Sequence, residues 1–129
     1  MAEPVTIAVD AMGGDFGPDV VLAGAARALA ADPDLHLVVV GPSAAVEPFA
    51  AGHDRARAQA ASEVIEMGEH PAAAVRAKKD SSIVVGCRLV KEGEADGFFS
   101  AGSTGACLAA ATLVVGRVKG VKRPALGQV

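Results

Sequence analysis

The chain opens on a short apolar, β-branched run, Val5-Thr6-Ile7-Ala8-Val9, that stops at Asp10 and predicts a buried strand. Glycines 13, 14 and 17 make Asp10 to Gly17 a loop, and Pro18 suits a first helical turn, where its missing N–H costs nothing. Val21, Leu22, Ala25, Ala28 and Leu29 then recur at helical spacing to about Ala31, and Asp32-Pro33-Asp34 breaks the helix. Leu35 to Val40 predicts a second buried strand, stopped by Gly41-Pro42, and Ser43 is placed to cap a helix running to about Ala51. From Gly52 to Ala61 the pattern is ambiguous, because its Ala and Arg residues could equally extend a helix; Ser62 to Glu66 predicts a third strand. Pro71 starts another helix with Ala74 and Val75 facing inward, and Asp80 or Ser81 caps the next, from Ser82 to Lys91, with Gly93 as its stop. Ala95 to Ser100 predicts a fourth strand, Ala101-Gly102-Ser103 a tight turn, and Thr104 to Gly116 a helix. A basic loop follows, and Arg123 to Val129 reads as the start of a further strand. Met67, Phe98 and Phe99 read as core.

Strand and helix alternate, and the apolar strands lack a polar face, so the expected fold is α/β: a parallel sheet with helices on both faces, in three layers. At 129 residues the chain holds one core. A sheet ending at Val129 would keep an open edge and half-covered faces, so a piece of a longer protein is expected. An apolar fraction of 51% against 21% charged fits a folded domain rather than a disordered tail. Aromatic residues make up only 3%, with neither Trp nor Tyr, and the formal charge is −3. Both argue against a nucleic-acid partner, which needs stacking platforms and a basic surface. Cys87 and Cys107 lie far apart and His36, His53 and His70 are scattered, so the thiols read as small apolar groups and no metal site is expected. Without a signal-peptide pattern or a run of roughly 20 apolar residues, a cytoplasmic protein is expected.

In a parallel α/β sheet ligands bind beyond the carboxyl ends of the strands. Two segments have the composition for such a site: Asp10 to Pro18 after the first strand and Ser100-Ala101-Gly102-Ser103-Thr104-Gly105-Ala106 after the fourth. Backbone N–H groups opening a helix favour an anion, glycine lets the backbone come close, and Ser100, Ser103 and Thr104 add hydroxyls. Neither segment matches a dinucleotide or P-loop fingerprint, and the glycines could equally serve tight turns alone. Asp10 and Asp15 could bind a metal, act as a base or order the first loop; without His support, ordering is the favoured reading. Lys78-Lys79-Asp80-Ser81-Ser82 stands at another helix start, where Lys79 could draw in an anionic substrate or simply be solvated. Lys119 to Arg123 is read as a solvated loop that could also face an acidic partner protein.

Ile7-Ala8-Val9-Asp10-Ala11-Met12-Gly13-Gly14-Asp15-Phe16-Gly17-Pro18 resembles the opening signature of bacterial phosphate acyltransferases, the acyl-acyl carrier protein:phosphate enzymes of phospholipid synthesis. Val39-Val40-Gly41, Pro71 to Arg76, Lys78 to Ser82, Val90 to Asp96, Ser100 to Ala106 and Arg123 to Leu126 match in the expected order, with the agreement weakest from Ala44 to Ala61. The resemblance implies that residues 1–129 are the amino-terminal part of a single, incomplete α/β acyltransferase domain with an isocitrate/isopropylmalate dehydrogenase-like fold. It implies transfer of a fatty acyl group from acyl-acyl carrier protein to inorganic phosphate, giving acyl phosphate, with no cofactor. Homodimerisation and peripheral contact with the inner face of the membrane are expected of the full-length protein. Asp10, Lys79 and Thr104 are the candidate catalytic residues; Gly13, Gly14, Asp15, Ser100, Gly102, Ser103 and Gly105 are the candidate phosphate or substrate ligands. The family more usually carries Asn where this chain has Ser103. Two other readings are a phosphate acetyl- or butyryltransferase acting on coenzyme A thioesters and a non-catalytic anion-binding fragment. Activity is expected of the parent protein rather than of the isolated chain.

Overall fold

The computed structural model describes residues 3–127. Four parallel strands, β1 (Val5–Asp10), β2 (Leu35–Gly41), β3 (Ala56–Ala60) and β4 (Gly97–Phe99), lie in the order β3-β2-β1-β4. Helices α1 (Gly17–Ala31) and α2 (Ser43–Ala51) cover one face; α3 (Pro71–Ala77), α4 (Ser82–Lys91) and α5 (Thr104–Ala110) lie on the other. The chain steps from β1 to β2 to β3 in one direction and then returns to the far side of β1, and right-handed crossovers put the helices of the two halves on opposite faces. The expected three-layer parallel architecture is present.

Strand β2 shows why the sheet forms. Val38, Val39 and Val40 are wholly buried, each removing a side chain from water for roughly 1.5–3 kcal/mol. Alternation sends Val38 and Val40 with Ala8 toward Val85 and Leu89 of α4, while Leu37 and Val39 with Val9 meet Ala25 and Leu29 of α1 and Val46 of α2. The other side of α4, through Ile83, Val84 and Cys87, packs on Ala74 and Val75 of α3 and Ala106 and Ala110 of α5. This double burial makes α4 the inner helix of its layer. Ser81, not Asp80, caps it by accepting the Val84 N–H at 3.3 Å, and Gly93 stops it at φ +77°.

Several expectations are corrected. Ser62 to Glu66 is extended but joins no sheet. Its polar backbone is satisfied elsewhere: Ser62 N–H and Oγ donate to Asp80 Oδ2 (2.9 and 2.5 Å), Glu63 N–H to Asp80 O (3.1 Å), and Ser82 N–H to Glu63 O (3.2 Å). The third strand is instead Ala56–Ala60, from the ambiguous stretch. Ala56 and Ala58 pack inward beside α2, while Arg57 and Gln59 lie on the opposite face of this edge strand. Arg55 pins its start by donating to the carbonyls of Leu29, Asp32 and Leu35 at 2.5, 2.7 and 2.7 Å. Ser43 is the first residue of α2 and makes no capping bond. The last helix changes after Ala110 into a π turn over Ala111–Val115, ending at Gly116. Residues 123–127 form no strand, and Gln128 and Val129 lie outside the described residues. Met67 and Phe99 are 60% and 56% exposed rather than core; Phe99 flanks an apolar groove of ≈ 350 Å³ beside α1, and only Phe98 packs inward.

The tightest helix-to-sheet contact is at Gly86, where a β-carbon would lie 2.2 Å from Phe98 Cε1. Gly86→Ala is expected to destabilise the full-length protein by about 1–3 kcal/mol through overpacking, read as a lower denaturation midpoint at unchanged m-value.

Candidate functional site

Because β1 and β4 are adjacent and parallel, with Val9 opposite Phe99, the loops that leave them emerge side by side at the carboxyl end of the sheet. The first turns toward α1 and the second toward α5, so the two diverge at the point where strand order reverses. Their backbones touch. A β-carbon on Gly102 would lie 2.6 Å from Gly14 N and 3.0 Å from Gly13 Cα, and one on Gly13 would lie 2.9 Å from Ala101 N. Neither position admits a side chain without moving the opposite loop.

Asp10 holds this arrangement. It is 2% exposed; Oδ1 accepts the Met12 N–H at 3.0 Å, and Oδ2 accepts the Ser100 hydroxyl at 2.8 Å. Ser100 Oγ in turn accepts the Gly102 N–H at 3.2 Å. One carboxylate thus orders its own loop and clasps the next, the ordering role favoured from sequence.

Ser103 carries the most unusual backbone. At φ +30° it is the single non-glycine residue with positive φ among the described residues. Its Oγ accepts the Ala106 N–H at 3.2 Å, capping α5. Asn tolerates left-handed backbone better than Ser, so the Asn that the resemblance leads one to expect here would suit this conformation. The Ser103 N–H points at Met67 Sδ, 3.1 Å away, and a thioether is a weak acceptor.

Between these loops and the Val64–Met67 segment lies a cleft lined by Asp10, Met12, Gly13, Gly14, Ser82, Gly102 and Ser103. Its volume open to water-sized atoms is ≈ 40 Å³, where one water needs roughly 10–15 Å³, so it suits a group of a few oxygen atoms. The Val64–Met67 wall is held by Lys78, whose Nζ donates to Val64 O and to Glu69 Oε2, both at 2.8 Å. That bond, with the Glu66 N–H, keeps the Glu69 carboxyl below its ordinary pKa; hydrogen bonds from Ser62 do the same for Asp80.

The sequence candidates therefore divide. Asp10, Gly13, Gly14, Gly102 and Ser103 line one cleft, and Ser100 braces it. Thr104 and Gly105 are exposed at the start of α5, next in chain to the cleft; Asp15 is exposed on the first loop. Lys79 is exposed in the turn before α4, outside the lining residues, and its neighbour Lys78 is the lysine built into the structure. Sequence reasoning missed Met12, Ser82 and the Val64–Met67 wall. Ser82 carried a signal, since it follows a helix cap; the wall carried none, because its pattern predicts a strand over Ser62 to Glu66 and a core residue at Met67. Both thiols are free: burial pushes Cys87 up to about 12 and raises Cys107 as well, so neither is a ready nucleophile.

Fold and cleft define a parallel α/β protein with a small polar site where the strand order reverses. Residues 5–129 match the family model described as "Fatty acid synthesis protein", and the chain belongs to that family. It is 51% identical over 120 residues to a phosphate acyltransferase of Levilactobacillus brevis, covering 93% of this chain and 35% of that protein. It is 53% identical over 123 residues to a phosphate acyltransferase of Desulfitobacterium hafniense (93% and 36%) and 44% identical over 123 residues to one of Caldanaerobacter subterraneus (95% and 37%). The chain spans a little over a third of the length of these curated relatives. No helix among the described residues is long and apolar enough to cross a membrane.

Ser103→Ala removes the cap and is expected to cost about 1 kcal/mol in denaturant unfolding. Ser103→Asn keeps an acceptor and suits the positive φ, so its stability is expected within a few tenths of a kcal/mol of the parent or above it.

Proposed function

We propose that the parent protein of this chain transfers a fatty acyl group from acyl-acyl carrier protein to inorganic phosphate, releasing acyl phosphate for phospholipid synthesis. The relatives' shared name, phosphate acyltransferase, supports the reaction class. The observation that carries the site is the Ser103 N–H, held at the cleft by a left-handed backbone and met only by a thioether. An anionic oxygen is a far stronger acceptor and would displace the sulfur of Met67, a residue 60% exposed to solvent.

Phosphate is itself the nucleophile in this reading. One of its oxygens attacks the thioester carbonyl, the C–S bond breaks, and the thiolate leaves and takes up a proton; no acyl-enzyme forms. The protein's work is to hold phosphate beside the carbonyl and to stabilise the tetrahedral oxyanion with fixed donors. Gly13, Gly14, Gly102 and Ser103 supply close backbone, with Thr104 and Gly105 opening the second wall and Asp15 on the first loop. Asp10 and Ser100 act through position, keeping the two loops in contact. Lys79 attracts the anionic substrate from the rim. The same reading makes residues 1–129 the amino-terminal part of one acyltransferase domain, its sheet continued as in isocitrate and isopropylmalate dehydrogenases. The full-length protein is then a cytoplasmic homodimer in peripheral contact with the inner face of the membrane.

The test is thiol release by the full-length protein from acyl-carrier and acyl-coenzyme A thioesters, with and without phosphate. Phosphate-dependent release from the carrier thioester is expected, and Gly102→Ala is expected to lower kcat by about 10²–10³ without unfolding. Thr104→Val is expected to raise the KM for phosphate about tenfold, the loss of one hydrogen bond to a charged group; unchanged turnover and phosphate affinity would remove Thr104 from the site. Release confined to coenzyme A thioesters would move the assignment to an acetyl- or butyryltransferase.

A further inference from the structure

One wall of the cleft is the start of α4, where Ser82 and Ile83 line it. The first N–H groups of a helix have no partner within it, and here most of them find one outside. The Ser82 N–H donates to Glu63 O at 3.2 Å, the Val84 N–H to Ser81 Oγ at 3.3 Å, and the Val85 N–H to Ser81 O at 2.9 Å. The Ile83 N–H has no acceptor among the described residues, although Ile83 is only 3% exposed. The Ser82 hydroxyl is left in the same condition. Ser82 is 2% exposed, yet its Oγ bonds to no protein group among the described residues. Every side-chain nitrogen or oxygen sealed from water among those residues has a partner. The little surface that Ser82 keeps therefore includes its hydroxyl, and the opening it lines is the cleft.

Two donors left bare in so closed a place call for an acceptor. The local field favours a negative one. Helix α4 is ten residues long with no acid in its first turn, so its positive end is not neutralised by its own side chains. Asp10, the buried acid of the cleft, is engaged by Met12 and Ser100. We infer, resting on the phosphate-binding function proposed above, that Ser82 Oγ and the Ile83 N–H are further phosphate donors, binding the same anion as the Ser103 N–H. Each donates one hydrogen to a phosphate oxygen, and no covalent bond to Ser82 forms or breaks. The lining contains no histidine, lysine or arginine, so Ser82 lacks the partner that would activate it as a nucleophile. Its hydroxyl binds the nucleophile instead.

The test is Ser82→Ala in the full-length protein, with phosphate binding followed by calorimetry and turnover measured on the carrier thioester. Because the hydroxyl bonds to no protein group, stability without phosphate is expected to stay at the parent value. Phosphate affinity is expected to fall roughly ten- to hundredfold, the loss of one hydrogen bond to a charged group. The rise in Tm that saturating phosphate gives the parent shrinks with it. The KM for phosphate rises by the same factor, with kcat and the KM for the thioester near their parent values. Ser82→Cys, of similar shape but a weaker donor, is expected to fall between. Parent-like phosphate affinity in Ser82→Ala overturns the inference and leaves the transferase reading intact. Phosphate binding that depends on Ser82, in a parent protein that cleaves no thioester, upholds the donors and refutes the transferase reading. Thiol release without phosphate, abolished in Ser82→Ala, overturns the inference in favour of a serine nucleophile.

Discussion

The approach of Gly13 and Gly14 to Gly102 is the constraint on which the site depends. Two loops from neighbouring strands, bound for opposite faces of the sheet, meet with no side chain between their backbones. The topology makes them neighbours: the chain builds outward from β1 on one side, returns to the other, and leaves β1 flanked by both halves. The Asp10–Ser100 hydrogen bond at 2.8 Å then fixes their spacing from beneath. A buried carboxylate is costly unless its oxygens are engaged, and here both accept protein donors. The resulting cleft is small, and the glycines of both loops bring backbone to its edge, which suits a compact, oxygen-rich group better than a bulky one.

That close contact would matter for the proposed reaction, in which the nucleophile is a bound ion. A transfer without a covalent enzyme intermediate depends on placement and on donors aimed in advance at the developing charge. The burial around Cys87 and Cys107 agrees with this, since both thiols are pushed away from ionisation. The Val64–Met67 wall closes the cleft from the side. It is held by hydrogen bonds from Lys78 to Val64 O and Glu69 rather than by pairing with the four-stranded sheet, while Asp80 fixes the Ser62–Glu63 stretch that leads into it.

Legibility in the sequence followed how local the deciding physics was. β1, α1, β2 and the Pro71 and Ser81 helix starts were all readable, because apolar runs, proline and a capping hydroxyl act within a few residues. The glycine loops were readable as loops at one end of a parallel sheet; that they touch depends on β4 lying next to β1, which no local pattern displays. β3 was missed because Ala-Arg-Ala-Gln-Ala has little apolar mass, although its strict alternation of small and long polar residues is the mark of an edge strand. Ser62 to Glu66 misled for the opposite reason: it is extended, but its N–H and C=O groups are taken by Asp80 and Ser82, a tertiary choice that no window of sequence displays. Exposure of Phe99 was likewise hidden, since hydrophobicity alone does not say which side of an edge strand is left uncovered, and Met67 lies in a turn outside the sheet.

The central claim is that an inorganic anion binds where the two glycine loops touch, with the Ser103 amide as a donor. Titrating phosphate into isotopically labelled full-length protein and following backbone amide shifts tests it most directly. A saturable downfield movement of the Ser103 amide, accompanied by Gly13, Gly14 and Gly102, is the expected result. Saturable shifts confined to other loops, or no response at these four amides, would contradict it.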